Sequence, residues 1–440
     1  MFHNDDRIQP ALGRQTRRGG LLLMSAAEKT PYTDARRVVI VGGGYAGTTA
    51  AVSLARGLDR TSDVQILLVE PDPCQQALSE LDLVAVGKPK PQFCELWHPT
   101  VFKNMPVTAC YNTVENVDPD AGTVTISDGA VVDYWRLVIA TGAIPFVPPV
   151  EGLAEHAVTM WSVDDAQELQ RRSEEVFRSA VKMADREQRR SVLSFVVVGG
   201  GATGVEIAGT MAKALPQRAL DHGLDGDEVQ VTLVEGRPEI LYDLRPEQRA
   251  KAVGRLEKMN ARVITGEMVE AVDADSIRFQ SGRSIDASVV VWCGGAKADP
   301  VAGSWGFETD NSGRLVADEY LKAVGNDAVY VIGDVAAARH PKTNKVLPML
   351  AQVAIQQGPW VARNILAEAR GGAVEPFEPH IRGEFVSVGP TWGVGWMYGL
   401  NLTGIPAIIM KRITYVKYWW QVGGIPLAWK RTREMLSMAR

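Results

Sequence analysis

The sequence holds only four cysteines in 440 residues, Cys74, Cys94, Cys110 and Cys293, widely scattered and in no CxxC or CxxxxC spacing. That argues against a disulfide framework or a cysteine-held metal cluster and fits a reducing compartment. Each thiol reads as a small buried or surface side chain rather than a redox centre. No run approaches the ~18 consecutive apolar residues of a transmembrane helix. Positive charge is not in excess either: the net charge of -5 gives no electrostatic reason to expect nucleic acid. The stretch from Arg17 to Ala27 has the order of an export signal, but its apolar core is too short for one. Residues 1–35 are polar and unpatterned and read as a disordered extension, with Met24 as an alternative start.

The rest has a globular composition, 46% hydrophobic and 22% charged, and is long enough for two or three domains. One stretch organises it. Val38-Val39-Ile40-Val41 reads as a buried parallel strand. It runs into Gly-x-Gly-x-x-Gly at Gly42, Gly44 and Gly47 and then into small residues that open a helix. In such a turn the first glycine allows the sharp bend, the second lets the backbone approach a pyrophosphate, and the third lets helix and strand pack closely. The helix N-terminus then faces the phosphates. A second strand pattern, Val64 to Val69, ends in Glu70, placed to accept hydrogen bonds from a ribose.

The unit then recurs. Phe195-Val196-Val197-Val198 leads into Gly199, Gly201 and Gly204, and the strand Val229 to Val234 closes on Glu235. Two units imply two dinucleotides. The distance from glycines to acid is longer in the second unit, and the polar segment Asp221 to Asp227 reads as the loop that takes up the excess. A carboxylate at Glu235 accepts a ribose 2′-hydroxyl and repels a 2′-phosphate, favouring NADH over NADPH; Arg237 reads as a surface arginine. Between the units, Thr123 to Ile126 and Val131-Val132 read as a hairpin about Asp128-Gly129. Two further strands end in turns where a cofactor can pass: Leu137 to Ala140 before Thr141-Gly142, and Ala328 to Ile332 before Gly333-Asp334. By itself the first turn is equally well explained as an ordinary strand end, and Asp334 is better explained as a turn-capping aspartate.

Together these residues resemble the flavoproteins with two dinucleotide-binding domains related to glutathione reductase, over Val38 to about Ile365. The resemblance implies FAD at Gly42, Gly44, Gly47, Glu70, Thr141, Gly142 and Asp334, and NADH at Gly199, Gly201, Gly204 and Glu235. It implies an α/β fold with two Rossmann-like domains: an FAD-binding part at 36–155, an NADH-binding domain at 156–295, and a return to the FAD-binding domain at 296–370. The disulfide branch carries a redox cysteine pair after the first acid; here only Cys74 is nearby.

Pro348 to Gly358 narrows the resemblance. Gln352 and Gln356 lie i and i+4 on one helical face among small and apolar residues. Two amides on a greasy surface can bond a ligand's carbonyl oxygens, or can be satisfied within a core helix. Pro359 is expected to kink the helix. The stretch is similar to the Ala-Gln-x-Ala-x-Gln signature of type II NADH dehydrogenases, as are Glu151 to Ala157 and Gly204-Val205-Glu206-x-Ala208-Gly209. That resemblance implies that the glutamines border a membrane quinone and that Glu206 lies near nicotinamide and flavin, as a proton relay or a positioning group. The segment after Glu70 departs from the family, with Cys74-Gln75-Gln76 where aromatics are expected. The C-terminal region, 371–440, agrees independently. From Ile405 onward Lys411, Arg412, Lys417, Lys430, Arg431, Arg433 and Arg440 are interleaved with Tyr415, Tyr418, Trp419, Trp420 and Trp429, the composition of a helical tail lying on a membrane surface. The reading is therefore a non-pumping NADH:quinone oxidoreductase, peripheral on the cytoplasmic face of the membrane, with a homodimer left open. A soluble reductase of an iron–sulfur protein and a sulfide:quinone oxidoreductase, which would need Cys110 and Cys293 to meet, stay open.

Overall fold

The computed structural model describes residues 36–59, 62–77, 80–87 and 90–437; the N-terminal extension expected at 1–35 and Arg440 lie outside them. Two five-stranded parallel sheets are laid out on the same plan. The first has the order Val329–Val331, Arg136–Ile139, Arg36–Val41, Val64–Val69, Val107–Cys110. The second has the order Ala157–Thr159, Val289–Trp292, Ser194–Val198, Gln230–Glu235, Ala261–Thr265. In each, the strand before the glycines is central and the acid-bearing strand is its neighbour. Central strands covered on both faces need continuous apolar sequence. Val38, Val39 and Ile40 and Phe195, Val196 and Val197 are accordingly buried.

The helix after the first glycines, Tyr45–Gly57, has 13 residues and its counterpart, Ala202–Asp221, has 20. The longer glycine-to-acid spacing of the second unit is therefore mostly extra helix rather than the loop expected. The predicted hairpin forms, from Thr123–Ile126 and Val131–Asp133, with Val114–Asp118 as a third strand. A matching three-stranded meander, Val269–Val272, Ser276–Phe279 and Ser284–Asp286, serves the second unit. The two chain crossings between the units pair with each other: Ala143–Pro145 and Ala296–Ala298 form an antiparallel ribbon.

Helix Ala351–Ala369 packs along Tyr45–Gly57 and continues through Pro359. Gly358 makes the approach possible, since a β-carbon there would lie 2.2 Å from Thr49 Oγ1 and 2.6 Å from the Ala46 carbonyl oxygen. A meander of Gly383–Ser387, Gly393–Met397 and Leu400–Thr403 follows. The terminal helix, Ile405–Ser437, is broken in phase at Gly424, whose φ of 66° lies outside helical space, with Pro426 just beyond. One side of it, including Ala407, Tyr418, Trp419, Val422 and Met435, is buried. The other exposes Ile405, Ile409, Ile413, Trp420, Ile425, Trp429 and Leu436.

Candidate functional site

Each glycine loop is dictated by its own backbone. Gly42 has φ +103°, and a β-carbon on it would stand 2.3 Å from the Ala140 carbonyl oxygen. One on Gly47 would stand 1.8 Å from the carbonyl oxygen of Gly42. Gly199 and Gly204 repeat this, with φ +117° and contacts of 2.3 Å to the Cys293 oxygen and 1.8 Å to the Gly199 oxygen. The middle glycines differ: a β-carbon on Gly44 or Gly201 would meet nothing within 4 Å. These two therefore face open space, and Gly201 lines a cleft with Glu235. Each caps a helix that has no side-chain cap, leaving N–H groups for an anion.

The two acids strap onto these loops. Glu70 accepts from the Gly43 N–H at 2.5 Å and the Asp72 N–H at 3.3 Å, and burial pushes its carboxyl pKa up. Glu235 accepts from the Gly200 N–H at 2.6 Å and the Arg237 N–H at 2.7 Å. The Arg237 guanidinium rests over the Tyr242 ring, 5.4 Å from its centre, along the same cleft as Gly201 and Glu235.

Loops from four neighbouring strands of the first sheet leave at one level, since Val41 is in register with Val69 and Ile139, and Ile139 with Val331. This brings Gly44, Glu70, Thr141, Gly142 and Asp334 to one edge. The fit to a flavin dinucleotide can be tested there. Thr141 Oγ1 is buried with no hydrogen-bond partner. Gly142 has φ +76° and open space beside it. Burial raises the Asp334 pKa, partly offset by the Arg314 charge, and its carboxylate accepts no hydrogen bond among the described residues. An orphaned hydroxyl, an unused carboxylate and an uncapped helix along one cleft are the donor and acceptor set that a ribityl diphosphate requires, and these residues fit it.

His98 is a member of this site that sequence reasoning missed. It is fully buried, and its Nε2 donates to the Gly43 carbonyl at 3.0 Å, beside Thr48 Oγ1 at 3.3 Å. Burial lowers its pKa. Its Cε1 would lie 2.4 Å from a β-carbon at Gly43, so it backs the glycine loop directly. Gln75, in the segment that departs from the family, is likewise buried and accepts from the Tyr418 hydroxyl, whose ring meets Tyr45 edge-on at 4.9 Å.

Gln352 and Gln356 do share a helical face, and both amides bond protein backbone, one of the two readings that the sequence allowed. Gln352 accepts from the Arg382 N–H at 3.3 Å and donates to the Gly383 oxygen at 2.9 Å. Gln356 accepts from the His380 N–H at 3.0 Å and donates to the His380 and Gln352 oxygens at 3.1 and 2.7 Å. The pair mimics a strand edge and stitches the helix to 380–383, because that backbone would otherwise lack partners.

Glu206 is buried at a junction. It accepts from the Ser387 N–H at 2.9 Å and from Lys411, whose ammonium also donates to Ser387 Oγ at 2.9 Å. Asp82 accepts from Thr210 at 2.6 Å nearby; burial, and then the Glu206 charge, push its pKa up to about 6. Burial pushes that of Glu80 up to about 7. Burial opposes the charge on Lys411, yet the Glu206 carboxylate holds its ammonium well above the usual range. This corrects the expectation for the tail. Lys411 is committed to Glu206, and Arg431 is buried, donating to the Gln92, Phe93 and Glu95 carbonyls. Tyr418 and Trp419 are buried too, so the exposed face carries Trp420 and Trp429 instead.

All four cysteines are free. Cys293 is built into the second glycine loop, where burial pushes its thiol up to about 12. No helix among the described residues is long and apolar enough to cross a membrane, and no group of side chains there is arranged to hold a metal.

Comparison with known proteins gives the same picture. The type II NADH:quinone oxidoreductase of Staphylococcus aureus (strain NCTC 8325 / PS 47) is 30% identical over 407 residues, covering 90% of this chain and 98% of that protein. Among solved structures, NDH2 from Plasmodium falciparum in complex with NADH superposes with a TM-score of 0.81 at 16% identity, over 92% of this chain and 97% of that one. The sulfide:quinone oxidoreductase of Aquifex aeolicus superposes with a TM-score of 0.73 at 19% identity, over 88% and 92%. Residues 36–358 match the pyridine nucleotide-disulphide oxidoreductase family. The duplicated glycine loops, their strapped acids and these likenesses lead to one conclusion: the chain belongs to the pyridine nucleotide-disulphide oxidoreductases and, among them, to the type II NADH:quinone oxidoreductases.

Proposed function

We infer that the protein oxidises NADH and reduces a membrane quinone without pumping protons. When bound, FAD supplies the redox chemistry, taking a hydride from NADH and passing two electrons to the quinone. The chain supplies binding and position. Gly44 and the uncapped start of Tyr45–Gly57 receive the flavin diphosphate, Thr141 and Asp334 take its hydroxyls, and Glu70 takes the adenosine ribose. Gly201 and Glu235 do the same for NADH, and the Glu235 charge disfavours a 2′-phosphate. The observation that carries this reading is the duplication itself. Two loops of matching geometry open onto separate clefts, and each has its own acid.

Gln352 and Gln356 serve the quinone by fixing the wall of its slot at 380–383, with one N–H of Gln352 left for a carbonyl oxygen. Glu206, joined to Lys411, is placed between the second unit and the tail, where a proton can be held for the acceptor. The exposed apolar stripe of the terminal helix supports peripheral attachment to a membrane, and the cytoplasmic face is the side where NADH is supplied. Self-association as a homodimer is a further part of this proposal.

Anaerobic stopped-flow kinetics test the division of labour. The Gln352→Leu/Gln356→Leu variant should be reduced by NADH at close to the normal rate, while its reoxidation by a short-chain quinone slows at least tenfold. Equal slowing of both half-reactions would refute a role confined to the quinone side.

A further inference from the structure

An open cavity of about 560 Å³ lies on the outer side of the segment stitched down by the two glutamines, lined by His340, Pro379, His380, Ile381, Arg382 and Tyr398. Three of the six are basic or can become so, and none is acidic. The backbone N–H of Arg382 is spent on Gln352, but its guanidinium pairs with no acid among the described residues. Lys417 on the terminal helix is also without an acid and lies within electrostatic reach of Arg382, whose charge, after burial, lowers the lysine pKa. Of the carboxylates that flank it in sequence, Glu378 is taken by Lys342 at 3.4 Å, and Glu384 lines the other cleft, with Gly201 and Glu235. The terminal helix that carries Lys417 packs on the strand Gly383–Ser387, which starts beside Arg382; two cations on adjoining elements with no acid of their own call for an anion.

The rim is apolar. Met397 pairs with Leu400 across a two-residue hairpin turn. Its central residues, Tyr398 and Gly399, both have positive φ, 47° and 82°. Such a turn suits Asn-Gly; a tyrosine there is a strained choice. It projects Tyr398 and Leu400 into solvent, 73% and 71% exposed. Lys417 falls four residues after Ile413 and three before Trp420, on the exposed side of the terminal helix. An anion on Arg382 and Lys417 would therefore have exposed aliphatic and aromatic groups beside it.

We propose that this basic cavity with its apolar rim seats the head-group phosphate of an anionic phospholipid, its acyl chains lying along Tyr398, Leu400 and Trp420. The proposal rests on the membrane-surface reading above and adds a lipid-selective site to it. A free phosphate shares the head-group chemistry but would leave the rim unused.

The test uses the flavin-loaded full chain. Titration calorimetry with dihexanoyl-phosphatidylglycerol below its micelle concentration should show saturable binding at one site, with dihexanoyl-phosphatidylcholine and inorganic phosphate each at least tenfold weaker. Arg382→Gln/Lys417→Gln, with its flavin spectrum intact, should bind the anionic lipid about 30-fold more weakly, from about fivefold per charge near a phosphate surface. Lys430→Gln/Arg433→Gln, which removes equal charge farther along the helix, should leave this binding unchanged. Equal loss in both double variants, or phosphate binding as tightly as the lipid, overturns the proposal. Co-sedimentation with vesicles separates the two levels. Equal binding of the wild type to phosphatidylcholine vesicles and to vesicles one-quarter phosphatidylglycerol defeats the lipid site alone, whereas no binding to either defeats the membrane reading.

Discussion

Replacing Asp82 with Asn is expected to stabilise the protein above neutral pH. Asp82 is buried between Thr210 and the Glu206–Lys411 pair, and its pKa stands at about 6. In the unfolded chain it is about 3.9. Between those values the folded protein keeps a proton that the unfolded chain has released, so stability falls as pH rises through this window. The contribution is fully present below about pH 4 and lost above about pH 6. Two units at about 1.4 kcal/mol each amount to about 3 kcal/mol. Asparagine can still accept from Thr210 Oγ1 and has no charge to bury, so Asp82→Asn should gain about 2–3 kcal/mol at pH 8. The gain should shrink to below about 1 kcal/mol at pH 4.5. Urea unfolding of the flavin-loaded protein at both pH values measures it, provided the slope with urea is unchanged. A loss of stability at pH 8 would refute the reasoning, because it would mean that Lys411 depends on the Asp82 charge and not chiefly on Glu206.

Three further substitutions probe other features. Lys411→Met strips Glu206 of its cation and should cost about 3–5 kcal/mol at pH 8; adding Glu206→Gln should recover most of that in the same urea assay. Gly47→Ala should give no soluble flavoprotein, because its β-carbon would lie 1.8 Å from the Gly42 oxygen, whereas Gly201→Val should fold, keep its yellow colour and fail to be reduced by NADH, since only the cleft is obstructed.

The glycine loops were legible because their requirement is local. A strand, a turn at positive φ and a helix against that strand leave glycine as the only residue that fits, and the pattern lies within a dozen consecutive residues. Glu70 and Glu235 were legible by their place at the end of the adjacent strand. His98 was not, since it reaches Gly43 from a segment more than fifty residues away and belongs to no periodic pattern. The partnership of Lys411 with Glu206 spans 205 positions. Charge type alone made Lys411 and Arg431 look like membrane contacts. Which side of a helix faces inward depends on its phase, and the break at Gly424 resets that phase for Arg431. The glutamine spacing gave the shared face correctly, but the partner of those amides, 380–383, could only come from the tertiary structure.

The ribbon formed by Ala143–Pro145 and Ala296–Ala298 has a mechanical consequence. The second sheet is an insertion between two parts of the first, and both strands of its stalk are hydrogen-bonded to each other rather than left as independent tethers. Moving one crossing without the other would shear that ladder. The two crossings therefore leave the first sheet as one ribbon, and any movement of the inserted unit has to carry both together.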